Sequence, residues 1–538
     1  MNEISNYYRL LSSNKRRFFG IALTQIAIGL FELLSIYAMY TLATRLSALN
    51  MNSFADAFKN NNLIIHGALV TALYLSKPGF YYIANKLVFK KIFASWKEIT
   101  VRMSKNFFER HKELGNKDNK TEQWDGLLVS ELPTSYTSFV IPFSNALAET
   151  FVAFILITFM LSVNWQSTSL ALFTVALVFA AANILTRSRI SKLGKTRSKE
   201  EVLRVKNLKE MLLSKDELIV FDQGKQVFNN LSKNLDGISH AWAHHLALAQ
   251  VPKTAMELAA IVAAVSSVLY MGLVQDLQFS EVISFGVTTG FIVLRLVPAT
   301  NKIILGWQYS KFTKPTIIQV LKYLKPNDQG STICQIEDGE NSISFEGYEF
   351  ANGLQKDLSI TGNGFYAIKA ESGFGKSVFL KSVIGLVKPK YLKRFISARG
   401  GRAGISYLPQ EPRLWFGTLS ENLFNTSPGN QEKEEAIQLI KDIGLIEWFE
   451  KLPQGFDTII SEDFDQISGG QKARLIFVRA LLKKPSMLIL DEFTANLDND
   501  TKLVILNICS KLSETKLILA ASHDPKTIRL ATKVLEIK

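Results

Sequence analysis

The residues best suited to chemistry form one short glycine-bearing segment. It consists of Ala370, Glu371, Ser372, Gly373, Phe374, Gly375, Lys376, Ser377 and Val378. Residues 365–369 before it read as a strand, and an apolar helical pattern follows it. The backbone N–H groups of such a loop and the N-terminus of the next helix attract an anion, so the segment predicts a phosphate cradle. Within it, Lys376 would reach the β- and γ-phosphates of a nucleotide, and Ser377 would bind Mg²⁺.

Two adjacent carboxylates further along the chain could complete a site for phosphate chemistry. The apolar strand pattern of residues 486–490 ends directly at Asp491 and Glu492. Asp491 is placed to hold Mg²⁺ through water, and Glu492 to polarise the water that attacks a phosphate. The segment between the loop and this pair reads Ser468, Gly469, Gly470, Gln471. Chance rarely produces that order of residues, so the three segments together predict nucleotide hydrolysis.

The composition indicates a membrane protein with a soluble portion. Of the 538 residues, 47% are hydrophobic and 20% are charged, and phenylalanine alone accounts for 36 residues. This balance is more apolar than that of a soluble globular protein. Nearly all long apolar runs precede residue 305, while the remainder alternates short strand and helix patterns, as an α/β domain does. The two cysteines, Cys334 and Cys509, do not indicate a disulfide framework.

The formal net charge of +14 raises the question of a nucleic-acid partner. Much of the positive charge instead flanks the apolar runs. The flanking residues are Lys15, Arg16, Arg17, Lys86, Lys90, Lys91, Arg187, Arg189, Lys192, Lys195 and Arg197. This placement is typical of the cytosolic side of membrane proteins, so we expect no nucleic-acid partner.

Six apolar stretches are long enough to cross roughly 30 Å of hydrocarbon. They are residues 18–42, 63–89, 139–163, 168–185, 255–274 and 282–305. A soluble protein would have too little polar surface to cover so many apolar helices, so we expect six membrane spans. The long connections 90–138 and 186–254 are charged and favour helix, which places them in the cytosol with both termini. They should turn near residues 122–128 and 211–221.

Ionisable side chains inside the predicted spans are unfavourable in lipid and should face water or a partner. Glu32 lies in the first span, Glu149 in the third and Arg295 in the sixth. One hypothesis is that Glu32 and Arg295 line a translocation cavity. The alternative is an interhelical polar pair with a purely structural role.

These segments together resemble the ATP-binding cassette transporters, specifically half-size exporters, over essentially the whole chain. The family's signature segment corresponds to residues 467–474, its switch glutamine to Gln410 and its distal loop to residues 495–498. His523 follows a predicted strand, residues 516–522. All of these segments occur in the family's order, which is more specific than any one of them.

The resemblance implies an all-α six-helix transmembrane domain followed by an α/β P-loop nucleotide-binding domain. We expect the transmembrane domain over residues 1–325, a linker over 326–340 and the nucleotide-binding domain over 341–538. The resemblance also implies a multi-pass protein of the bacterial inner membrane with its nucleotide-binding domain in the cytoplasm. Its activity would be ATP hydrolysis coupled to export or flipping of an amphiphilic substrate.

The resemblance assigns a role to each residue of the ATP site. The phosphate loop would hold ATP, Glu492, His523 and Gln410 would act in hydrolysis, and His523 would contact the γ-phosphate. Mg²⁺ would be bound by Ser377, Gln410 and Asp491.

A second subunit is implied as well. Ser468 and Gly470 would contact the γ-phosphate of ATP held by the opposite subunit, and Gly469, Gln471 and Asp498 are further nucleotide-binding candidates. One chain therefore cannot close its own site, and a second identical or related half-transporter is required.

Three departures from the family's pattern concern nucleotide binding. The first glycine of the phosphate loop is replaced by Ala370, and the aromatic residue expected to stack on adenine falls at Asn352, with Tyr348 or Phe350 as poor substitutes. The stretch 376–410 is also short for the family. We therefore expect weaker or less adenine-selective nucleotide binding.

Three functional interpretations remain open on the sequence alone. The first is a homodimeric exporter, and the second is one half of a heterodimer with unequal ATP sites. The third, a soluble ATPase acting on nucleic acid, shares the cassette but conflicts with the six spans. Residues 295–302 resemble the corresponding region of bacterial flippases for lipid-linked oligosaccharides, and short exporters of small peptides look similar, so the cargo is expected to be amphiphilic.

Overall fold

The structure is a computed structural model that describes the chain in ranges separated by gaps. The described residues are 3–11, 14–47, 61–113, 124, 126–273, 279–324, 336–350, 353–371, 373–387, 391, 393–411, 413–460, 467–493 and 497–537, with the backbone alone described at 279–294 and at some other helical positions. The chain divides into two compact units. They are Met1–Phe107 with Asn119–Asp328, and Phe108–Asp118 with Gln329–Lys538.

The first unit is built from helices, several of them very long. In chain order they are α1 (Glu3–Leu10), α2 (Lys15–Ser47), α3 (Asn61–Glu113), α4 (Leu132–Ser135), α5 (Ile141–Val163), α6 (Trp165–Leu213), α7 (Lys215–Val220), α8 (Gly224–Leu273), α9 (Phe279–Phe312) and α10 (Lys314–Leu324). Two π-helical turns, Leu127–Glu131 and Tyr136–Val140, flank α4. Each turn is followed within two residues by a proline, which cannot donate a hydrogen bond to the helical ladder.

Among the described residues of this unit, four helical stretches are long and apolar enough to cross a membrane. They are Lys15–Leu42, Leu63–Phe108, Leu127–Ser162 and Gly224–Ser267. They overlap the first, second, third and fifth predicted spans, the fifth only over residues 255–267. The fourth predicted span lies on α6, whose apolar part is Trp165–Val178, and the sixth lies on α9, where the side chains of 279–294 are outside the description. Length and composition therefore support four of the six predicted spans.

Short connections join α6 to the helices on either side of it. A single residue, Asn164, separates α5 from α6, and its side chain caps α6 by accepting a 3.0 Å hydrogen bond from the Ser167 N–H. At its other end α6 stops at Leu213, and the chain passes through α7 into α8, so the turn predicted near residues 211–221 is confirmed. Of the turn predicted near residues 122–128, residues 124 and 126–128 are described and are helical, so the turn itself is not tested.

The second unit is an α/β domain. Its strands are β1 (Glu337–Asp338), β2 (Ser342–Glu349), β3 (Gln355–Thr361), β4 (Gly364–Ala370), β5 (Lys393–Ala398), β6 (Ile405–Leu408), β7 (Gly417–Thr418), β8 (Ile459–Ile460), β9 (Met487–Asp491), β10 (Leu517–Ala521) and β11 (Lys533–Ile537). Its helices are α11 (Lys376–Val383), α12 (Leu419–Leu423), α13 (Asn430–Asp442), α14 (Ile446–Glu450), α15 (Gly469–Leu482), α16 (Asn499–Leu512) and α17 (Pro525–Leu530). β1 lies within the stretch 326–340 that was expected to be linker. It nevertheless extends the edge of a sheet by parallel pairing with β5.

A five-stranded parallel sheet in the order β11-β4-β10-β9-β6 forms the centre of this domain. Both faces of the sheet are buried. Leu488 and Leu490 of β9 belong to one apolar core, together with α15, whereas Met487 and Ile489 belong to a second core, together with α11 and the sheet β1-β5-β2-β3. Burial on both faces explains why β9 and β10 are uninterrupted apolar runs rather than alternating ones.

Two glycines of the first unit allow helices to approach closely. A Cβ atom at Gly194 of α6 would lie 2.0 Å from the backbone oxygen of Phe312 at the end of α9. A Cβ atom at Gly306 of α9 would lie 2.5 Å from the Cβ of Ala146 in α5. Neither helix pair can keep this separation with a larger residue, because the first obstacle at each site is rigid rather than a flexible side-chain end.

We predict that Gly194→Ala lowers the thermal stability of the first unit. The added methyl group meets backbone, so α6 and α9 must separate, and overpacking of this kind typically costs about 1–3 kcal/mol. The measurement is thermal unfolding of the purified chain in detergent. Gly79→Ala is the matched control, since Gly79 lies within α3 and a Cβ there meets no atom within 4 Å. Equal unfolding temperatures for the two variants would contradict the prediction.

Candidate nucleotide-binding site

Three neighbouring strands of the parallel sheet bring the predicted site residues together. β4, β10 and β9 lie side by side and run in the same direction, so their carboxyl ends share one edge of the sheet. β4 leads into the phosphate loop, β9 ends at Asp491 and Glu492, and β10 ends just before His523. Ligands of open α/β sheets bind at this edge.

The phosphate loop owes its shape to two glycines. Gly373 and Gly375 have φ angles of 86° and 87°, a left-handed conformation that glycine adopts without steric penalty. Gly375 is the N-cap of α11, so the first turn of that helix faces the loop. Ala370, which replaces the family's first glycine, is the last residue of β4 and pairs with Ile537 of β11. Ala370 therefore lies in the strand, before the turn of the phosphate loop begins. Ser372 lies outside the described residues.

Lys376 is the central cation of the site. It is only 6% exposed, and its ammonium donates a 2.9 Å hydrogen bond to the carbonyl oxygen of Ala370. The same nitrogen contacts Nε2 of His523 and lies 3.5 Å from Oε1 of Glu492. A buried ammonium needs anionic partners, and here the site's own glutamate supplies one.

The hydroxyl of Ser377 and the carboxylate of Asp491 meet directly. Ser377 Oγ donates to Asp491 Oδ1 at 2.9 Å, and the carboxylate is almost fully buried, at 1% exposure. These are oxygen ligands of the kind that Mg²⁺ prefers, at the point where the phosphate loop meets the strand end. The residues present therefore fit the Mg²⁺ ion that accompanies nucleotides. Among the described residues, no group of three or more His, Cys, Asp or Glu side chains indicates another metal site.

Tyr407 is a member of the site that the sequence did not single out. It lies in β6, and its hydroxyl donates a 3.0 Å hydrogen bond to Oδ2 of Asp491. Burial, and then the charge of Asp491, raise the pKa of the Tyr407 phenol, so the hydroxyl stays protonated and can act only as the donor in this pair. Its position three residues before Gln410 was the available signal, but an aromatic residue in a strand is ordinarily assigned to the core.

Glu492 lies in an unusual backbone conformation. Its φ angle is 46°, in the left-handed region that residues other than glycine rarely adopt. Its N–H donates to the carbonyl oxygen of Ala521 at 3.0 Å, and its Oε2 accepts a 3.2 Å hydrogen bond from Nε2 of Gln410. His523 Nε2 lies 3.9 Å from Oε1. The strained backbone places this carboxylate among Lys376, Gln410 and His523, as expected of a functional position.

The signature segment and Asp498 each begin a helix. Ser468 is the N-cap of α15, and its side chain and that of Gln471 form a reciprocal capping box. A Cβ atom at Gly469 would meet nothing within 4 Å, so the segment presents open backbone at a helix N-terminus. Asp498 caps α16 by accepting from the Thr501 N–H at 2.8 Å, and hydrogen bonding from Thr501 lowers the Asp498 pKa.

These capping residues are separate from the strand-end cluster. In the part of the chain that the structure describes, no hydrogen bond or ion pair joins Ser468, Gln471 or Asp498 to Lys376, Asp491 or Glu492. The structure thus brings Lys376, Asp491 and Glu492 together. Ser468 and Asp498 lie apart from them, each at the start of a helix.

The aromatic candidates for adenine stacking are buried elsewhere. Tyr348 and Phe350 are 1% and 3% exposed, and their ring centroids lie 5.1 and 6.1 Å from that of Phe379 in the core. Neither ring presents a face to a ligand. Asn352, where the family's aromatic was expected, lies outside the described residues.

The parallel sheet, the phosphate loop and the strand-end carboxylates define a P-loop nucleotide-binding domain. Residues 355–495 match the sequence profile of the family described as ABC transporter. The matched residues all lie within the second unit, and they include the phosphate loop, Asp491 and Glu492.

Three similar proteins extend this assignment. The chain is 27% identical over 237 residues to an ATP-dependent lipid A-core flippase of Haemophilus influenzae, covering 41% of this chain and 40% of that protein. It is 28% identical over 222 residues to a putative export ATP-binding/permease protein of Rickettsia bellii, covering 36% of each. Less than half of each relative's length is matched. A solved structure of a bacterial Atm1-family ABC exporter with ATP bound superposes with a TM-score of 0.76 and 16% identity. The superposition covers 97% of this chain and 93% of that one. The fold is therefore that of an ABC exporter.

We predict that Tyr407→Phe raises the Mg²⁺ concentration that nucleotide binding requires. The substitution removes the hydrogen bond to Asp491 Oδ2 and so leaves a buried carboxylate oxygen without a donor. Loss of such a supporting contact typically lowers metal affinity about tenfold or more. The measurement is a Mg²⁺ titration of nucleotide binding, in which the half-maximal Mg²⁺ concentration should rise.

Tyr366→Phe is the control for this experiment, because the Tyr366 hydroxyl donates to the carbonyl oxygen of Thr361, away from the site. If both variants titrate like the unaltered chain, Tyr407 does not support the metal ligand.

Proposed function

We propose that the chain hydrolyses ATP to drive export or flipping of an amphiphilic substrate across a membrane. The observation that carries the proposal is the convergence of Lys376, Ser377, Asp491, Glu492 and His523 at one edge of a parallel sheet, in a chain whose other unit contains membrane-length helices. The named relatives, a lipid A-core flippase and an export ATP-binding/permease protein, support the same activity.

Each group of the site has a proposed part in hydrolysis. The phosphate loop and Lys376 would hold the ATP phosphates, and Ser377, Gln410 and Asp491 would hold Mg²⁺, which offsets phosphate charge when it is bound. The Glu492 carboxylate would orient and polarise the attacking water. His523, half exposed beside Glu492, would contact the γ-phosphate.

The proposal requires a second subunit. Ser468, Gly469, Gly470 and Gln471 form the start of α15, where Ser468 and Gly469 are exposed, and they are not part of the strand-end cluster. A helix N-terminus favours an anion. We propose that this segment, with Asp498, completes the ATP site of a facing subunit. The partner would be a second copy or a related half-transporter, and ATP held between the two would bring them together. A pair with unequal sites is the alternative, favoured by Ala370 and Asn352.

The remaining assignments concern location and domain limits. We propose a multi-pass protein of the bacterial inner membrane, with residues 1–325 as transmembrane domain and 341–538 as cytoplasmic nucleotide-binding domain. Residues 326–340 would be a linker whose C-terminal part contributes β1 to the sheet. The four membrane-length stretches all fall within the first of these ranges.

Glu492→Gln is predicted to abolish ATP turnover and to spare ATP binding. The amide keeps the size of the side chain and can still accept a hydrogen bond, but it cannot act as a base, a role typically worth 10²–10⁴-fold in rate. The measurements are steady-state phosphate release and nucleotide affinity on the same preparation.

Glu435→Gln is a matched control, because Glu435 pairs with Lys484 on the surface at 2.8 Å. Steady hydrolysis in Glu492→Gln at the rate of this control would remove Glu492 from the catalytic role.

The buried state of Tyr348 and Phe350 leads to a prediction about nucleotide selectivity. Because neither of these two rings can stack on adenine, the site should distinguish poorly between bases. Stacking on an aromatic ring is typically worth about 1–3 kcal/mol per base. GTP should therefore compete with ATP within about tenfold of equal affinity, measured by displacement of a labelled ATP analogue. Exclusion of GTP would show that another group reads the base.

A further inference from the structure

Six polar side chains from four helices of the first unit form one connected group, which we call the basic cluster. Its members are Glu32 of α2, Lys77 and Tyr81 of α3, Glu149 of α5, and Arg295 and Lys302 of α9. The pairing of Glu32 with Arg295, at 2.9 Å, lies at its centre. Glu32 and Arg295, the two residues that the sequence suggested as a pair, thus belong to a larger network of ion pairs.

Both oxygens of each glutamate in the basic cluster accept a hydrogen bond. Glu32 accepts from Lys77 at 2.9 Å through Oε2, and from Arg295 and Tyr81 through Oε1. Glu149 accepts from Arg295 at 2.8 Å through Oε2 and from Lys302 at 2.7 Å through Oε1. All four carboxylate oxygens therefore already have a cationic partner.

The cations exceed the carboxylates, and they are the more exposed groups. Lys77, Arg295 and Lys302 carry three positive charges against the two negative charges of the glutamates. Their side chains are 25%, 15% and 52% exposed, whereas Glu32 and Glu149 are 3% and 7% exposed. The cluster thus has a surplus of one positive charge, and its cationic members face outward from the buried carboxylates.

A cavity of about 270 Å³ lies against the basic cluster. Its lining residues are Glu32, Tyr74, Lys77, Pro78, Tyr81, Arg295 and Lys302. Among these described residues, three are cations and one is a carboxylate. The volume corresponds to about nine water molecules at roughly 30 Å³ each, which accommodates a small charged group but is below the roughly 300–1,000 Å³ of pockets that enclose a whole drug-sized ligand.

A purely structural role does not explain the surplus charge. Charged groups among membrane spans are unfavourable unless they are paired or face water, and a structural link between helices is satisfied by equal numbers of the two signs. Here three cations share two carboxylates, so one positive charge beside the cavity is not balanced within the cluster. An anion that enters the cavity would balance that charge.

We propose that the basic cluster binds the acidic headgroup of the transported substrate, which makes the substrate an anionic amphiphile bearing a phosphate, sulfate or carboxylate group. The inference rests on the proposed function, to which it adds the sign of the charge and the headgroup site. The anion takes contacts from Lys77 and Lys302, the two lysines at the cavity. Because both lysines also hold a glutamate, the anion competes with those ion pairs and loosens the links among α2, α3, α5 and α9.

The test is direct binding to the full chain without nucleotide, so that it does not depend on hydrolysis. The chain is placed in phosphatidylcholine nanodiscs, and dodecyl phosphate, dodecyltrimethylammonium and dodecyl maltoside are titrated calorimetrically against empty nanodiscs as blank. Dodecyl phosphate should bind with at least about tenfold higher affinity than either of the other two probes.

Variants at the two lysines assign the binding to the basic cluster. Lys77→Ala and Lys302→Ala should each weaken dodecyl phosphate binding about tenfold, Lys77→Arg should retain it, and Lys302→Glu should reverse the preference in favour of the cationic probe. Lys86→Ala is the matched control, because Lys86 also lies on α3 and over a tyrosine ring, that of Tyr82, but outside the cavity. Size-exclusion profiles establish that each variant is folded.

The outcomes separate this inference from the proposed function. Charge-selective binding that depends on Lys77 and Lys302 supports the headgroup site, even if dodecyl phosphate then fails to change ATP hydrolysis, which would count against coupled transport. Equal binding of the three probes, or unaltered dodecyl phosphate binding in both alanine variants and in Lys302→Glu, overturns the headgroup site even where ATP hydrolysis is intact.

Discussion

The burial of one ammonium group organises the nucleotide-binding unit. Lys376 is 6% exposed at the edge of a parallel sheet, where it is held by a backbone oxygen of Ala370 and by the carboxylate of Glu492. A buried cation is stable only when an anionic group pairs with it. Nucleotide phosphates carry more negative charge than a single carboxylate, and their binding to Lys376 would release Glu492 from the ion pair. The Glu492 carboxylate and the phosphates of the proposed complex therefore meet the same requirement, a negative charge beside Lys376.

That requirement is met because the sheet is rigid. β9 is buried on both faces, and its pairing with β10 continues to Asp491 and Ala521, so the position of the next residue is fixed. Glu492 then takes a left-handed φ of 46°, which is held by its hydrogen bond to Ala521. Local strain of this kind, typically about 1–3 kcal/mol, persists only when the surrounding core outweighs it. The core packing is thus a condition for the geometry of the site.

Periodicity and motif order predicted much of this structure, and they failed where the determining contact is distant in sequence. The strands at 364–370, 487–491 and 517–521 were predicted to within a residue or so at each end, because buried parallel strands are continuous apolar runs. The fit of Ala370 could not be foreseen, since it depends on pairing with Ile537. Tyr407 was missed for the same reason, because its partner Asp491 lies on a neighbouring strand.

The two units share one electrostatic principle. In the second unit the carboxylate of Glu492 lies beside Lys376, and in the first unit Glu32 and Glu149 hold Lys77, Arg295 and Lys302. In each case cations with capacity for an anionic ligand are neutralised, fully or in part, by the protein's own glutamates. Removing one partner of such a pair would leave an unpaired buried charge. An anionic ligand therefore replaces the glutamate as the partner of the cation, and its binding changes the contacts between the elements that supplied the ion pair.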